Sequence, residues 1–337
     1  MENPAISSSQ RTKVTSVDVA AKAGVSQATV SLVFSGKASG RVSERTAEAV
    51  RQAARELGYR PNVAARALRS GAARVIGLLV PDSVHPFFGF VLRGAQRAAW
   101  DAGYTVAQID TGRGAAWEAG SAEALIHGPV DGFLVFGIDL PSALTGPGSL
   151  PVVLVERASS KIASVRFDVE GGMQASLEHL TALGHTRIAH MRGDYDQETF
   201  ARRRATWEKF VADPKKLPSI PTVLRVEAAI DAAHELFEHP AKATAVVCDD
   251  DIAAAGLYVA ARQAGIRIPQ DLSVVGFDDL EISRVLDPPL TTVRIDGEAL
   301  GAEAIKVLLA RLEGRRARRE TVLPVELVER ASTAPPA

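Results

Sequence analysis

Residues 15–70 read TSVDVAAKAGVSQATVSLVFSGKASGRVSERTAEAVRQAARELGYRPNVAARALRS. Val17, Ala20, Ala21 and Gly24 are apolar or small at i, i+3, i+4 and i+7, with Ser16 in place as N-cap, so the spacing predicts a first helix. Gly24-Val25-Ser26 reads as a tight turn, because glycine tolerates positive φ and the Ser26 hydroxyl can cap the next helix. A second helix, Gln27 to about Phe34, would bury Val30, Val33 and Phe34. Its outer face would carry Ala28, Ser31, Leu32 and Ser35, with Gln27 leading. A helix that is small and polar at its N-terminal turn suits insertion into a DNA major groove, where base edges are read. A third helix starts at Ser43, turns Ala47, Val50, Ala54 and Leu57 inward and stops at Gly58. The pattern predicts an all-α helix-turn-helix headpiece over residues 15–60, behind a disordered lead-in at 1–14.

After Gly58 the chain reads as a linker or short hinge helix over 61–72. Pro61 cannot continue the third helix, and Asn62 can cap a new one. Ala64, Ala65 and Leu68 share one side, and Arg66, Arg69 and Arg74 suit phosphates. Two turns of helix are marginal in water. Seen alone the segment is an Ala-rich linker; behind a helix-turn-helix it reads as a helix that forms on DNA and wedges Leu68 into the minor groove.

These residues, with Asp18-Val19-Ala20, Ala23-Gly24-Val25-Ser26, Thr29-Val30-Ser31, Val42-Ser43, Leu57-Gly58-Tyr59 and Pro61-Asn62, resemble the lactose-repressor (LacI/GalR) family. The similarity runs through nearly the whole chain. It implies a homodimer on a pseudo-palindromic operator, and a sugar-binding-protein-like body whose ligand changes DNA affinity. The DNA-facing residues it implies are Ser16, Ser26, Gln27, Ala28, Thr29, Ser31, Leu32, Ser43, Thr46, Asn62, Ala65 and Leu68. Two features depart from the family. Leu32 stands where relatives often carry arginine or another polar reader, and the turn Ser35–Arg41 is longer than usual. The operator sequence of a relative therefore does not transfer.

Charge supports the same division. The 337 residues carry a net charge of -1, but residues 1–75 hold 12 Lys/Arg against 5 Asp/Glu. The front is thus +7 and the remainder -8, which fits a polyanion partner for the headpiece alone. The single cysteine, Cys248, excludes internal disulfides and reads as a small buried hydrophobe. No apolar run approaches the roughly 20 residues of a membrane span, and the first dozen residues lack the core of a secretory signal. The expected location is the cytoplasm.

The body, residues 73–333, opens with the apolar run Val75–Val80, which reads as a buried parallel strand. Helical and strand-like stretches then alternate: Phe88–Ala102, Tyr104–Ile109, Glu118–Ile126, Gly132–Phe136 and Pro151–Val155. A second series runs Glu170–Leu183, Arg187–Met191, Thr199–Ala212, Ala245–Cys248, Ile252–Ala264 and Ser273–Phe277. This predicts an α/β two-lobed, periplasmic-binding-protein-like body with its ligand at the carboxyl ends of the strands. Lobe 1 is expected over about 73–167 plus 300–320, and lobe 2 over about 168–297 plus 321–333, with a last strand at Thr321–Val328 behind a solvated Arg-rich loop.

Residues just after those strands are the ligand candidates. His85 precedes Phe87 and Phe88, which suit either a ligand ring or the core at a helix start. The resemblance places Asp278 on ligand hydroxyls or ring nitrogens, Arg203 in the cleft, and Glu156 and Asp168 in the pocket lining or at a lobe crossover. In Asp249-Asp250-Asp251, Asp249 reads as the ligand contact and Asp251 as a helix cap, so neither metal nor cofactor is expected. The remaining histidines lack metal-ligand spacing. No aromatic stands where relatives often place one over the ligand, and Trp117 is a candidate substitute. The reading is a repressor of carbohydrate genes answering to a sugar, with a purine- or nucleoside-responsive repressor as the alternative. A transport receptor is disfavoured by the headpiece, and an enzyme by the lack of any catalytic constellation.

Overall fold

The computed structural model describes residues 14–34, 38–59, 72–112, 128–137, 144, 149–211, 213 and 216–337. The chain divides into two compact units, Met1–Ala73 and Arg74–Ala337.

In the first unit, α1 (Ser16–Ala23), α2 (Gln27–Phe34) and α3 (Glu44–Leu57) close on Val19, Ala20, Val30, Val33, Ala47, Val50, Ala53 and Ala54. The start of α1 differs from the sequence expectation. Thr15 is the N-cap and Ser16 the first helical residue, because Thr15 and Asp18 form a reciprocal capping box, a stronger local arrangement than a lone hydroxyl. The inward face shifts with it: Val19 is buried and Val17 is 56% exposed. Gly24 takes φ 64° and closes α1 through Ala20 and Ala21. Ser43 caps α3, accepting from Thr46 N at 3.2 Å. Ser35, the hinge over 61–71, Trp117 and the helix expected at Glu118–Ile126 lie outside the described residues.

Among the described residues, the second unit holds two six-stranded sheets. β1 (Val75–Val80), β2 (Thr105–Asp110), β3 (Gly132–Phe136), β4 (Val152–Val155) and β5 (Ala163–Phe167) form the first sheet with β11 (Glu320–Leu323), in the order β11-β5-β4-β3-β1-β2. All its pairings are parallel. β6 (Ile188–Gly193), β7 (Ser219–Thr222), β8 (Ala245–Cys248), β9 (Ser273–Asp278) and β10 (Thr291–Arg294) form the second with β12 (Glu326–Val328), in the order β12-β10-β9-β8-β6-β7. Here only β12 runs antiparallel, against β10. The stretch expected as one strand, Thr321–Val328, is thus two strands in two sheets, broken at Pro324-Val325. Proline cannot donate to a ladder, and the chain changes lobe there.

Helices cover both faces, which is why strands such as VIGLLV are apolar throughout. In lobe 1, α4 (Pro86–Asp101) crosses α10 (Gly297–Leu312) at glycine contacts. A Cβ on Gly94 would sit 2.0 Å from the Glu298 carbonyl oxygen, and one on Gly301 2.1 Å from that of Val91. In lobe 2, α5 (Val169–Ala182) and α6 (Glu198–Phe210) pack together, as do α7 (Val226–Glu238) and α8 (Asp251–Gln263). A short helix, α9 (Ile282–Val285), lies between β9 and β10. β5, β7, β10, α7, α9 and α10 have no counterpart in the sequence reading. The strands are short and the helices short or Ala-rich, so periodicity marks them weakly.

Candidate nucleic-acid interface and ligand cleft

On the first unit, Ser26, Gln27, Ala28 and Ser31 are exposed along one side of α2 and its cap. Leu32 and Thr29 are half-buried beside them. Ser26 Oγ accepts from Thr29 N at 3.1 Å, which caps α2. Gln27 Nε2 donates to Ser16 Oγ at 2.9 Å, joining the starts of α1 and α2. Ser43 is exposed and Thr46 half-buried at the start of α3, with their hydroxyls 2.8 Å apart. Asn62, Ala65 and Leu68 lie outside the described residues.

The cleft of the second unit lies where the strand order of each sheet reverses, at β1/β3 and at β6/β8, the position at which doubly wound sheets open a crevice. Its cavity has about 700 Å³ of empty space, mouth included. Phe87, Phe88, Phe136 and Phe167 line it from lobe 1. The Phe88 and Phe136 rings meet edge to face at 4.9 Å. Tyr195, Phe200, Arg203 and Asp278 line it from lobe 2.

Arg203 is the centre of the polar side. It is 4% exposed, its guanidinium stacks 3.6 Å from the Phe277 ring centroid, and Nη1 donates to the Asp249 carbonyl at 2.6 Å. Its Nε, also buried, has no partner among the described residues. Glu156 is 7% exposed, with φ 56° and an oxygen accepting from Phe167 N at 2.7 Å. Burial pushes its carboxyl up to about 7, against the pull of that bond and of Arg203. Burial and then the neighbouring Asp250 carboxyl raise Asp278 well above the usual range, and Asp278 holds φ 107°. His85 caps α4, and its Nε2 lies 2.9 Å from Asp250 Oδ2, joining the lobes. His85, Asp250 and Asp278 bring one ligand atom each to within 4.8 Å of one another, the one set among the described residues with metal-ligand spacing. Their own hydrogen bonds already account for it.

Three acidic candidates are held by the fold itself, Asp168 at the lobe crossover and Asp251 away from its expected cap. Asp168 is exposed at the start of α5, where it caps the helix through Gly171 N at 3.1 Å, and it does not line the cavity. A residue at the N-terminus of a helix is better satisfied by its orphan N–H groups than by a distant ligand. Asp249 does border the cavity, but its carboxylate serves His190 Nε2 at 3.0 Å and Gly193 N at 2.9 Å. The cap of α8 is Asp250, not Asp251, with Ile252 N donating to it at 2.5 Å. Asp251 instead accepts from Thr292 and Leu280 N in the core. Cys248 is buried and its thiol is pushed up by that burial.

Sequence reasoning missed Phe136, Phe167, Tyr195, Gln197 and Phe200. Tyr195 and Gln197 follow β6, so the rule that selected Asp278 after β9 was available for them as well.

Residues 15–62 match the bacterial regulatory proteins of the lacI family, and residues 177–333 match a periplasmic binding protein-like domain. The transcriptional repressor PurR of Photobacterium profundum is 31% identical over 326 residues, 94% of this chain and 97% of that protein. The chain belongs to the lacI family. CytR of Escherichia coli (strain K12), another transcriptional repressor, is 30% identical over 338 residues, 96% of this chain and 97% of its own. Among solved structures, the lac repressor dimer bound to operator and the anti-inducer ONPF superposes with a TM-score of 0.82 at 28% identity, covering 95% of this chain and 99% of that one. The CelR–cellobiose complex does so at 0.71 and 27%, with the same coverage. This lacI-family member is a DNA-binding transcriptional regulator with a ligand-binding body, and none of its helices, among the described residues, is long and apolar enough to cross a membrane.

Proposed function

We propose that this lacI-family regulator represses carbohydrate genes, binding a two-fold related operator as a homodimer, and that a sugar in the cleft sets its DNA affinity. The observation that carries the sugar reading is Arg203. A buried guanidinium whose charge acts on both the Glu156 and Asp278 carboxyls, with an Nε that has no partner among the described residues, leaves a donor for a ligand oxygen, and leaving such a group unmet is costly. Support comes from the operator-bound lac repressor dimer and the cellobiose complex among the structural neighbours. A repressor acts in the compartment that holds its DNA.

On the DNA side we assign base reading to Gln27 and Leu32, phosphate contacts to Ser26, Thr29 and Ser43, and the minor-groove wedge to Leu68. Leucine can touch a thymine methyl but cannot donate to guanine. Leu32→Arg is expected to move the selected half-site toward G at one position. Identical selected operators for both proteins would remove Leu32 from the reading face.

The test of the effector is a thermal-shift panel of sugars and nucleobases, followed by gel shifts on the protein's own upstream region. A sugar at 100 times its Kd should add roughly 2.7 kcal/mol of stability and change operator affinity. The second reading, a purine effector, is favoured by the PurR relatives and by the ring-stacking faces of Phe87, Phe88 and Phe136. Stabilisation by hypoxanthine or guanine and by no sugar would replace the first reading with it.

A further inference from the structure

A second cavity adjoins the first. It holds about 1220 Å³ of empty space, mouth included, and the two share Tyr195, Gln197 and Phe200 as their common wall. Part of that wall is fixed. Tyr195 Oη accepts from Leu224 N at 2.7 Å, and its ring packs on Phe200 at 5.3 Å. Gln197 is held less. It occupies the N-cap position of α6 without making a capping bond, and its side-chain carbon lies 3.4 Å from where a Cβ on Gly137 would stand. Its amide reaches from lobe 2 to lobe 1 as a partition between an aromatic chamber and a polar one.

The outer chamber is lined by Arg157, Arg192 and Arg204 against Asp196, Glu198 and Glu208. Equal numbers of each sign do not select an anion such as a phosphate. Arg204 donates to Glu208 at 2.7 Å and Arg202 to Glu198 at 2.8 Å, so these planar groups turn their remaining donors and acceptors to the chamber, a set that matches vicinal hydroxyls. Arg192 keeps 24% of its side chain exposed, and its ion pair with Asp194 is long, at 3.5 Å. Glu198 accepts from Ala158 N at 2.7 Å, so both lobes build the chamber.

We infer that the effector is a neutral saccharide of at least two rings, one ring in the aromatic cavity and the next in the outer chamber, with Gln197 moving aside between them. The inference rests on the saccharide reading above.

Calorimetric titration of the full chain with cellobiose, maltose and lactose, and with glucose and galactose alone, tests it. One disaccharide is expected to bind at least about tenfold tighter than its constituent monosaccharides, the worth of one or two added hydrogen bonds to charged groups. Ala201→Trp, on the exposed side of α6 where it borders the outer chamber, should cut that margin below about twofold, and Arg192→Gln should lower it in part. Unfolding of each ligand-free variant is measured alongside; should Ala201→Trp fail to fold, Arg192→Gln carries the comparison. Equal affinity for monosaccharide and disaccharide, or an undiminished margin in folded variants, overturns the two-ring assignment and leaves the saccharide reading standing. Binding of purines and of no saccharide overturns both.

Discussion

Lobe 1 presents Phe87, Phe88, Phe136 and Phe167 to the shared cavity, whereas lobe 2 presents Arg203, Asp250 and Asp278 beside Tyr195 and Phe200. The lobe 1 rings belong to a buried core cluster that packs mostly lobe 1 residues and reaches Phe277 and Val293 of lobe 2, so they are held whether or not a ligand is present. The lobe 2 charges are held by hydrogen bonds to strand ends and helix starts, and the Arg203 Nε donor is left unmet among the described residues. The contrast separates two tasks. The apolar wall contributes stability and a stacking surface, and the polar wall contributes selectivity.

The largest expected effect breaks the apolar wall. Phe88→Ala should lower unfolding stability by about 3–5 kcal/mol, the cost of emptying a buried aromatic site, read as a lowered urea midpoint. A loss under about 1 kcal/mol would mean that the ring wall is not part of the fold's core.

Next in size is Glu156, the carboxyl that lobe 1 adds to the polar side. The folded state binds its proton more tightly than the unfolded chain, whose carboxyl titrates near 4.5, so stability falls as pH rises from 4.5 through about 7. The full cost above pH 7 is about 3 kcal/mol. Glu156→Gln should flatten this part of the pH profile and be the more stable protein at pH 8. Parallel profiles for the two proteins would mean that Glu156 is ionised and solvated in the folded state.

Arg203→Met tests the polar wall. It should weaken effector binding by about 1.5–3 kcal/mol, the worth of hydrogen bonds to a charged group, with a smaller effect on operator binding by the ligand-free protein. An unchanged ligand titration would move the selective contact elsewhere in the cleft. The smallest effect is expected at the seam. His85→Asn removes the bond to Asp250 across the lobes and should cost about 0.5–1.5 kcal/mol, with a more open body by small-angle scattering.

Much of this was legible where chemistry is local. The turn at Gly24, the caps at Ser26 and Ser43 and the stop at Gly58 depend on side chains within a few residues, and they agree with the structure. The helical phase of α1 was not, because Val17 and Val19 are equally apolar and only packing against α2 and α3 chooses between them. In the body, the rule that ligand residues follow strands picked out His85, and the family resemblance added Glu156, Arg203 and Asp278; the structure brings all four to one cavity. The resemblance left Asp168 between pocket lining and lobe crossover, and it stands at the crossover, where it follows β5 and caps α5 outside the cavity lining. Phe136 and Phe167 escaped because they end strands as ordinary core residues. Only the strand order, which periodicity does not report, turns them to the cleft.

The chain passes between lobes three times, at Asp168, near Asp296 and at Pro324-Val325. Asp168 and Asp296 each clamp the first turn of the next helix, through Gly171 N at 3.1 Å and Ala299 N at 2.9 Å. Beside these passages Phe167, Val169, Phe277, Val293 and Ile295 form one continuous apolar cluster that belongs to both lobes. A body pinned along three adjacent strands of backbone has little freedom to slide or shear. It is left with a single coordinate, rotation about the pinned edge, so the far side of the cleft moves most while the pinned side stays still. Whatever the effector's chemistry, its message then reduces to one angle between the lobes.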